Sequence, residues 1–235
     1  MIKSVIGQNI HDLKLRISNS CLKVGRSIDE ITLVAVTKTV PVERIQAAID
    51  VGITTIGENR VQEAVEKFSV IDNKVQWHLI GHLQTNKVKK AIEMFTMIQS
   101  IDSLYLAVEV EKRFNTQNKE IQVLIEVNTS GEDTKFGVKP GDLFMLIKDM
   151  LPFSHLNISG LMTIGPGLAI EDKEKSRPCF RVLYELRQRA ETEFGIKLPY
   201  LSMGMSSDFE VGIEEGSNMI RIGTAIFGPR SNNNG

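Results

Sequence analysis

The sequence predicts an α/β fold, a single (β/α)8 TIM barrel preceded by one extra helix. Two observations lead there. Apolar runs rich in Val, Ile or Leu alternate along the whole chain with helical patterns carrying apolar residues at i, i+3 or i+4, as in a parallel sheet covered by helices. Eight such runs fit into about 200 residues, the small end of the barrel's range. A doubly wound open sheet shares this alternation and stands as the other arrangement.

In chain order, "MIKSVIGQNIHDLKLRI" begins an amphipathic helix over residues 2–24. Its Asp12 interrupts the apolar core that a signal peptide needs. The strand-like runs end near Lys38, Gly57, Ile80, Ser100, Val127, Met162, Ser202 and Ile222. Helical patterns follow them, from "PVERIQAAIDVG", "ENRVQEAVEKF" and "TNKVKKAIEMF" through "SLYLAVEVEKRFNTQ" and "PGDLFMLIKDML" to "EKSRPCFRVLYELRQRAETEFG" and "SDFEVGIEEG". Pro41 suits a first helical turn, where its missing N–H would be unpaired anyway. Ser103 can cap a helix, and Ser207 to Glu210 have capping-box spacing. Gly52, Gly195 and Gly216 stand where helices should stop. With no linker or composition shift in view, residues 1–230 are expected to form one barrel domain and 231–235, "SNNNG", a disordered polar tail.

Composition narrows the function classes. Twenty-eight basic residues against 29 acidic ones leave a net charge of -1, which offers no pull towards nucleic acid or an anionic membrane. No apolar run approaches the ~20 residues that span a bilayer. Cys21 and Cys179 lie far apart and outside any zinc-like spacing, which suits a reducing compartment, so a cytoplasmic location is expected. The N-x-[ST] triplets at Asn128 and Asn157 carry no meaning without a secretory signal.

In such a barrel the reactive groups sit just past the strand ends. Alternation puts Val34, Val36 and Lys38 on one strand face. A lysine in a dry site becomes the amine that condenses with an aldehyde to a Schiff base; a lysine at a strand end also reaches water along its aliphatic stem, and both readings of Lys38 stand. Asn59 in "IGENRVQEA" can bond a ligand oxygen or cap the helix behind it. His78 and His82 in "WHLIGHLQTNK" are four apart, but His78 lies in a strand, so they do not share a helical face as metal ligands would. Lining a cleft or sealing the barrel mouth suits them better. Met162 in "GLMTIGPG" fills the core or lies against an aromatic ring.

The last two loops are the most informative. "LSMGMSSDFEVGIEEG" and "MIRIGTAIFG" place Ser206, Ser207, Gly223 and Thr224 after strands seven and eight and ahead of helices, the recurrent phosphate cradle of this architecture. Arg221, inside an apolar strand one residue before the loop, needs a defined acceptor, either a ligand or a barrel glutamate such as Glu126. An amine, a phosphate cradle and a cation describe a site for a phosphorylated aldehyde. Pyridoxal 5'-phosphate is the cofactor of that description, and a Schiff-base aldolase acting on a phosphorylated sugar is a close competitor.

The segments "VAVTKTVP", "IGENRVQEA", "WHLIGHLQTNK", "QSIDS", "VNTSGEDTKFG", "SGLMTIGP" and "LSMGMSSDFEVGIEEGSNMIRIGTAIFG" together resemble the pyridoxal phosphate homeostasis proteins, the YggS/PROSC family, from about residue 5 to residue 230. The resemblance implies the barrel of the alanine racemase N-terminal domain, with Lys38 carrying the cofactor as a Schiff base. It also implies Arg221 facing the pyridine nitrogen, Ser206, Gly223 and Thr224 on the phosphate, and Asn59 and Met162 near the ring. An arginine keeps its proton, so the ring would be a weaker electron sink than one paired with a carboxylate. Racemases sharing this barrel add a β-domain and a partner subunit's tyrosine, for which 235 residues leave no room. The expected role is therefore a monomeric, non-catalytic carrier that buffers pyridoxal phosphate, influences amino-acid balance and supplies apo pyridoxal-phosphate enzymes. A pyridoxal-phosphate-dependent amino-acid racemase is the alternative. Ser207 stands where many members have Asp, and Pro229 where Ala is common.

Overall fold

The computed structural model describes residues 2–71 and 74–229. The strands are β1 (Thr32–Val36), β2 (Thr55–Glu58), β3 (Gln76–Leu79), β4 (Met97–Ile101), β5 (Ile121–Glu126), β6 (Leu156–Met162), β7 (Tyr200–Ser202) and β8 (Met219–Ile222). They run parallel in sequence order, and β1 pairs with β2 on one side and β8 on the other, so the sheet closes into a barrel and the open arrangement is excluded.

The helices are α1 (Ile2–Lys23), α2 (Val42–Asp50), α3 (Val61–Ile71), α4 (Val88–Ala91), α5 (Leu104–Thr116), α6 (Leu143–Met150), α7 (Arg177–Phe194), α8 (Phe209–Glu214) and α9 (Thr224–Phe227). α9 is a single turn, too short to cover the seam between β8 and β1. The extra helix supplies the cover: its buried stripe Ile6, Ile10, Leu13 and Ile17 packs where α1 meets α2, α8 and α9. Asn9 Nδ2 ties it to the Ile226 carbonyl at 2.9 Å. No helix of the described residues is long and apolar enough to cross a membrane.

Alternation along the strands sorts side chains into two cores. Ala35 and Trp77 belong to the large layer between strands and helices, whereas Val34, Met97, Leu124, Met162 and Met219 pack together inside the barrel. Val34 facing inward puts Val36 on the barrel-lining side, and Lys38 follows in the turn beyond the strand end.

Some boundaries differ from expectation, each for a local reason. Ser103 caps α5 as expected, accepting from Leu106 N, and Gly52, Gly195 and Gly216 take φ of 100°, 64° and 95° where helices stop. Pro41 is the cap residue of α2 and not its first helical residue. Ser207 forms no capping box. α8 starts at Phe209 behind Asp208, whose carboxylate instead accepts from Ser176 Oγ (2.6 Å) and Met205 N (2.8 Å). A capping box does form at Ser27 and Glu30, just ahead of β1. The "TNKVKKAIEMF" pattern yields only a 3-10 turn and the four-residue α4. The polar tail 231–235 lies outside the described residues.

β6 and β7 approach closely at Gly160, where an added Cβ would lie 1.9 Å from the Tyr200 carbonyl oxygen. Gly160→Ala is expected to lower stability by about 2–3 kcal/mol in urea denaturation, because backbone and not a flexible side chain must move. An unchanged midpoint would contradict this packing.

Candidate functional site

Lys38 follows β1 in a tight turn, and the cleft it lines is completed by Val36, Arg44, Gly223, Thr224 and Phe227. Gly223 stands beside Val36, whose Cβ is 3.5 Å from where a glycine-replacing Cβ would sit. The cleft therefore lies over the β8–β1 seam. Ser206, in the loop after β7, lies beside it, its Oγ accepting from Ala225 N at the start of α9 (3.3 Å). Lys38, Ser206, Gly223 and Thr224, drawn from three loops, are thus gathered at one end of the barrel. Arg44 joins them from α2, donating to the Phe227 carbonyl while its Nε is buried without a hydrogen-bond partner. Nothing in the sequence singled it out.

Arg221 is on β8 in register with Val34 and is only 4% exposed. Its Nη1 donates to Ser202 Oγ (2.6 Å) and its Nη2 to the Thr163 carbonyl (2.7 Å). Of the two acceptors considered for Arg221, an ion pair with Glu126 does not form among the described residues. Glu126 acts only at longer range, while burial holds the Arg221 pKa down to about 10 and pushes the Glu126 carboxyl up to about 7.

From Ser202 a chain of hydrogen bonds crosses the barrel. Ser202 Oγ donates to Gln99 Oε1 (2.7 Å), and Gln99 Nε2 lies 2.9 Å from His78 Nδ1. Because the amide nitrogen can only donate, His78 must accept at Nδ1 and so be neutral. Burial favours that form and lowers its pKa to about 4. Gln99 and Ser202 are functional neighbours of Arg221 that sequence reading missed. They are 103 residues apart and meet only in the closed barrel.

The two histidines part company. His82 sits at the rim, 3.0 Å from Asp102 Oδ2 and stacked on Phe136 at 4.1 Å and 9°. Asn59 lies near His82 and Phe136 in a second surface hollow, one residue too early to cap α3 from its N-cap position. Met162 is fully buried within the inner cluster.

Fold and site together define a barrel of the alanine racemase N-terminal class, and the profile described as "Alanine racemase, N-terminal domain" matches residues 16–231. An alanine racemase of Clostridium difficile 630 superposes with a TM-score of 0.75 at 15% identity, covering 98% of this chain and 58% of that one, which shows the shared fold. The "Pyridoxal phosphate homeostasis protein" of Aquifex aeolicus is 46% identical over 216 residues, 92% of this chain and 94% of the relative. PipY of Synechococcus elongatus PCC7942, solved with PLP bound, is 29% identical with a TM-score of 0.82, covering 95% and 100%. The chain belongs to the pyridoxal phosphate homeostasis protein family.

Two outcomes follow for the barrel interior. Ser202→Ala removes an acceptor from a buried cation and is expected to cost about 2 kcal/mol by urea denaturation; no loss would mean that Arg221 has another acceptor in solution. Folding raises the Glu126 pKa from 4.5 to about 7, so its contribution is complete below the unfolded value and disappears as pH rises through the folded one. Glu126→Gln, neutral throughout, should gain stability over wild type from about pH 5 to about pH 8. A constant difference would show that Glu126 does not titrate in that window.

Proposed function

We propose that this protein binds pyridoxal 5'-phosphate at Lys38 and carries or buffers it, serving cofactor and amino-acid homeostasis without turnover of its own. The observation that supports this most is the gathering of Lys38, Ser206, Gly223 and Thr224 at the barrel mouth, above an arginine buried inside the barrel. Bound pyridoxal phosphate would supply an aldehyde, an anionic phosphate and a pyridine ring.

The donor set matches that chemistry. Lys38 offers the amine, and the Ser206 hydroxyl with the backbone of Gly223 and Thr224 offers donors for a phosphate. Arg221 uses two of its guanidinium's five N–H groups on Ser202 and Thr163, leaving others for a ring nitrogen. At a pKa of about 10 it keeps its proton at neutral pH, so it donates a hydrogen bond and does not protonate the ring. A ring in that state withdraws electrons weakly, which favours holding over catalysis. Met162 and Asn59 would lie towards the ring, Met162 from the apolar interior and Asn59 from the rim.

The chain's three tyrosines support the same reading. Tyr105 is exposed on α5, Tyr184 packs by Gly216 from α7, and Tyr200 opens β7 and packs against the inner cluster. Among the described residues none lines the Lys38 cleft. In this reading the protein acts as a cytoplasmic monomer, its recipients are apo pyridoxal-phosphate enzymes, and residues 1–230 form one domain.

Loading with pyridoxal phosphate, reduction with borohydride and tryptic mapping should place the label on Lys38. A label elsewhere, or none, contradicts the proposal. Arg221→Ala should weaken retention about tenfold or more, measured by dialysis, since a charged hydrogen bond is lost. A panel of amino acids should show no steady turnover; sustained racemisation would establish the catalytic alternative.

A further inference from the structure

β2 ends in a fully buried carboxylate, Glu58, and α3 carries a lysine, Lys67, that is only 7% exposed. Burying an ammonium demands full pairing. Lys67 Nζ meets that demand with three acceptors: Glu58 Oε1 at 2.7 Å, Glu63 Oε1 at 2.6 Å and the Thr37 carbonyl at 2.6 Å. Thr37 Oγ1 also donates to Glu58 Oε1 at 2.6 Å, and Thr39 N donates to Glu63 Oε1.

These contacts fall on the two peptide groups that flank Lys38. The carbonyl of the preceding peptide is held by Lys67, and the N–H of the following peptide by Glu63. Glu63 and Lys67 are themselves an i,i+4 pair on one helix, so a single rigid element grips the backbone on both sides of Lys38. Thr39 has a φ of 61°, a left-handed conformation that costs a β-branched residue on the order of 1–3 kcal/mol and persists only where its surroundings fix it. The grip supplies that fixation. A solvated surface ion pair would not be built this way, because one of the ammonium's three acceptors is a backbone carbonyl and the ammonium itself is buried.

We infer that Lys67, with Glu63 and Glu58, is the positioning device of Lys38: it sets the turn after β1 so that the Lys38 side chain leaves the strand towards the cleft. The inference rests on the cofactor role proposed for Lys38. It assigns Lys67 no contact with a ligand. Its effect is on the amine's placement, and displacement of a reacting group by about 1 Å is enough to cost on the order of 100-fold in a condensation.

Lys67→Met removes the ammonium and nearly keeps the volume, Lys67→Arg restores a cation, and Glu63→Gln is a milder change should Lys67→Met not fold. Each is compared with wild type using two probes: pyridoxal 5'-phosphate, scored by borohydride-trapped label on Lys38, and pyridoxamine 5'-phosphate, which keeps the ring and phosphate but has no aldehyde. The expected result is a roughly 10- to 100-fold slower labelling of Lys38 in Lys67→Met, less in Glu63→Gln, and partial rescue in Lys67→Arg, with pyridoxamine phosphate affinity within about twofold of wild type. Equal losses for both probes, or unchanged labelling, would overturn the inference and leave a merely structural ion pair. Wild-type protein that takes no label on Lys38 would instead overturn the cofactor reading beneath it.

Discussion

The constraint on which the interior depends is the burial of a guanidinium inside a parallel barrel. A charge taken out of water must be met by acceptors, and Arg221 has two, the Ser202 hydroxyl and the Thr163 carbonyl. Using the hydroxyl as acceptor fixes its hydrogen on Gln99, and Gln99's amide then requires a neutral His78. One charge on β8 thereby dictates hydrogen-bond direction on β7, β4 and β3. Beneath it, the methionines and aliphatic residues of the inner cluster supply the dry medium that makes an unmet bond costly.

The same closure that buries Arg221 also assembles the mouth. β8 pairs with β1, so the loop carrying Gly223 and Thr224 lies beside the turn carrying Lys38. α9 is one turn long, which keeps the mouth open there, and α1 makes good the missing outer cover. Two charged assemblies therefore flank β1, the arginine chain on the β8 side within the barrel and the Lys67 grip on the β2 side. In the proposed function the first would suit an aromatic nitrogen that stays unprotonated, and in the inferred positioning role the second would hold the Lys38 amine in place.

Much of this was legible in the sequence where the signal is local. Strand ends, helix starts and the loops after β7 and β8 pointed to Lys38, Ser206, Gly223 and Thr224, which the fold brings to one end of the barrel, because each is marked by the residues next to it. Arg221 stood out as a cation in an apolar run. What sequence could not show were partnerships made by closure: Gln99 with Ser202, or Thr163's carbonyl beneath Arg221. Glu126, one of the two acceptors the sequence offered for Arg221, lies on β5, and only its longer-range field reaches β8. Lys67 was hidden in a charged helical pattern. A signal was available, since it falls on the stripe of Val61, Ala64 and Ile71 that α3 buries, where a lysine needs partners.

The most direct measurement is the visible absorption spectrum of purified protein after incubation with pyridoxal 5'-phosphate and removal of the excess, compared with Lys38→Ala treated identically. A cofactor held by Lys38 would leave a visible band on the wild-type protein and none on Lys38→Ala, with both proteins equally folded by circular dichroism. The same band in both, or in neither, would contradict a cofactor held by the Lys38 amine.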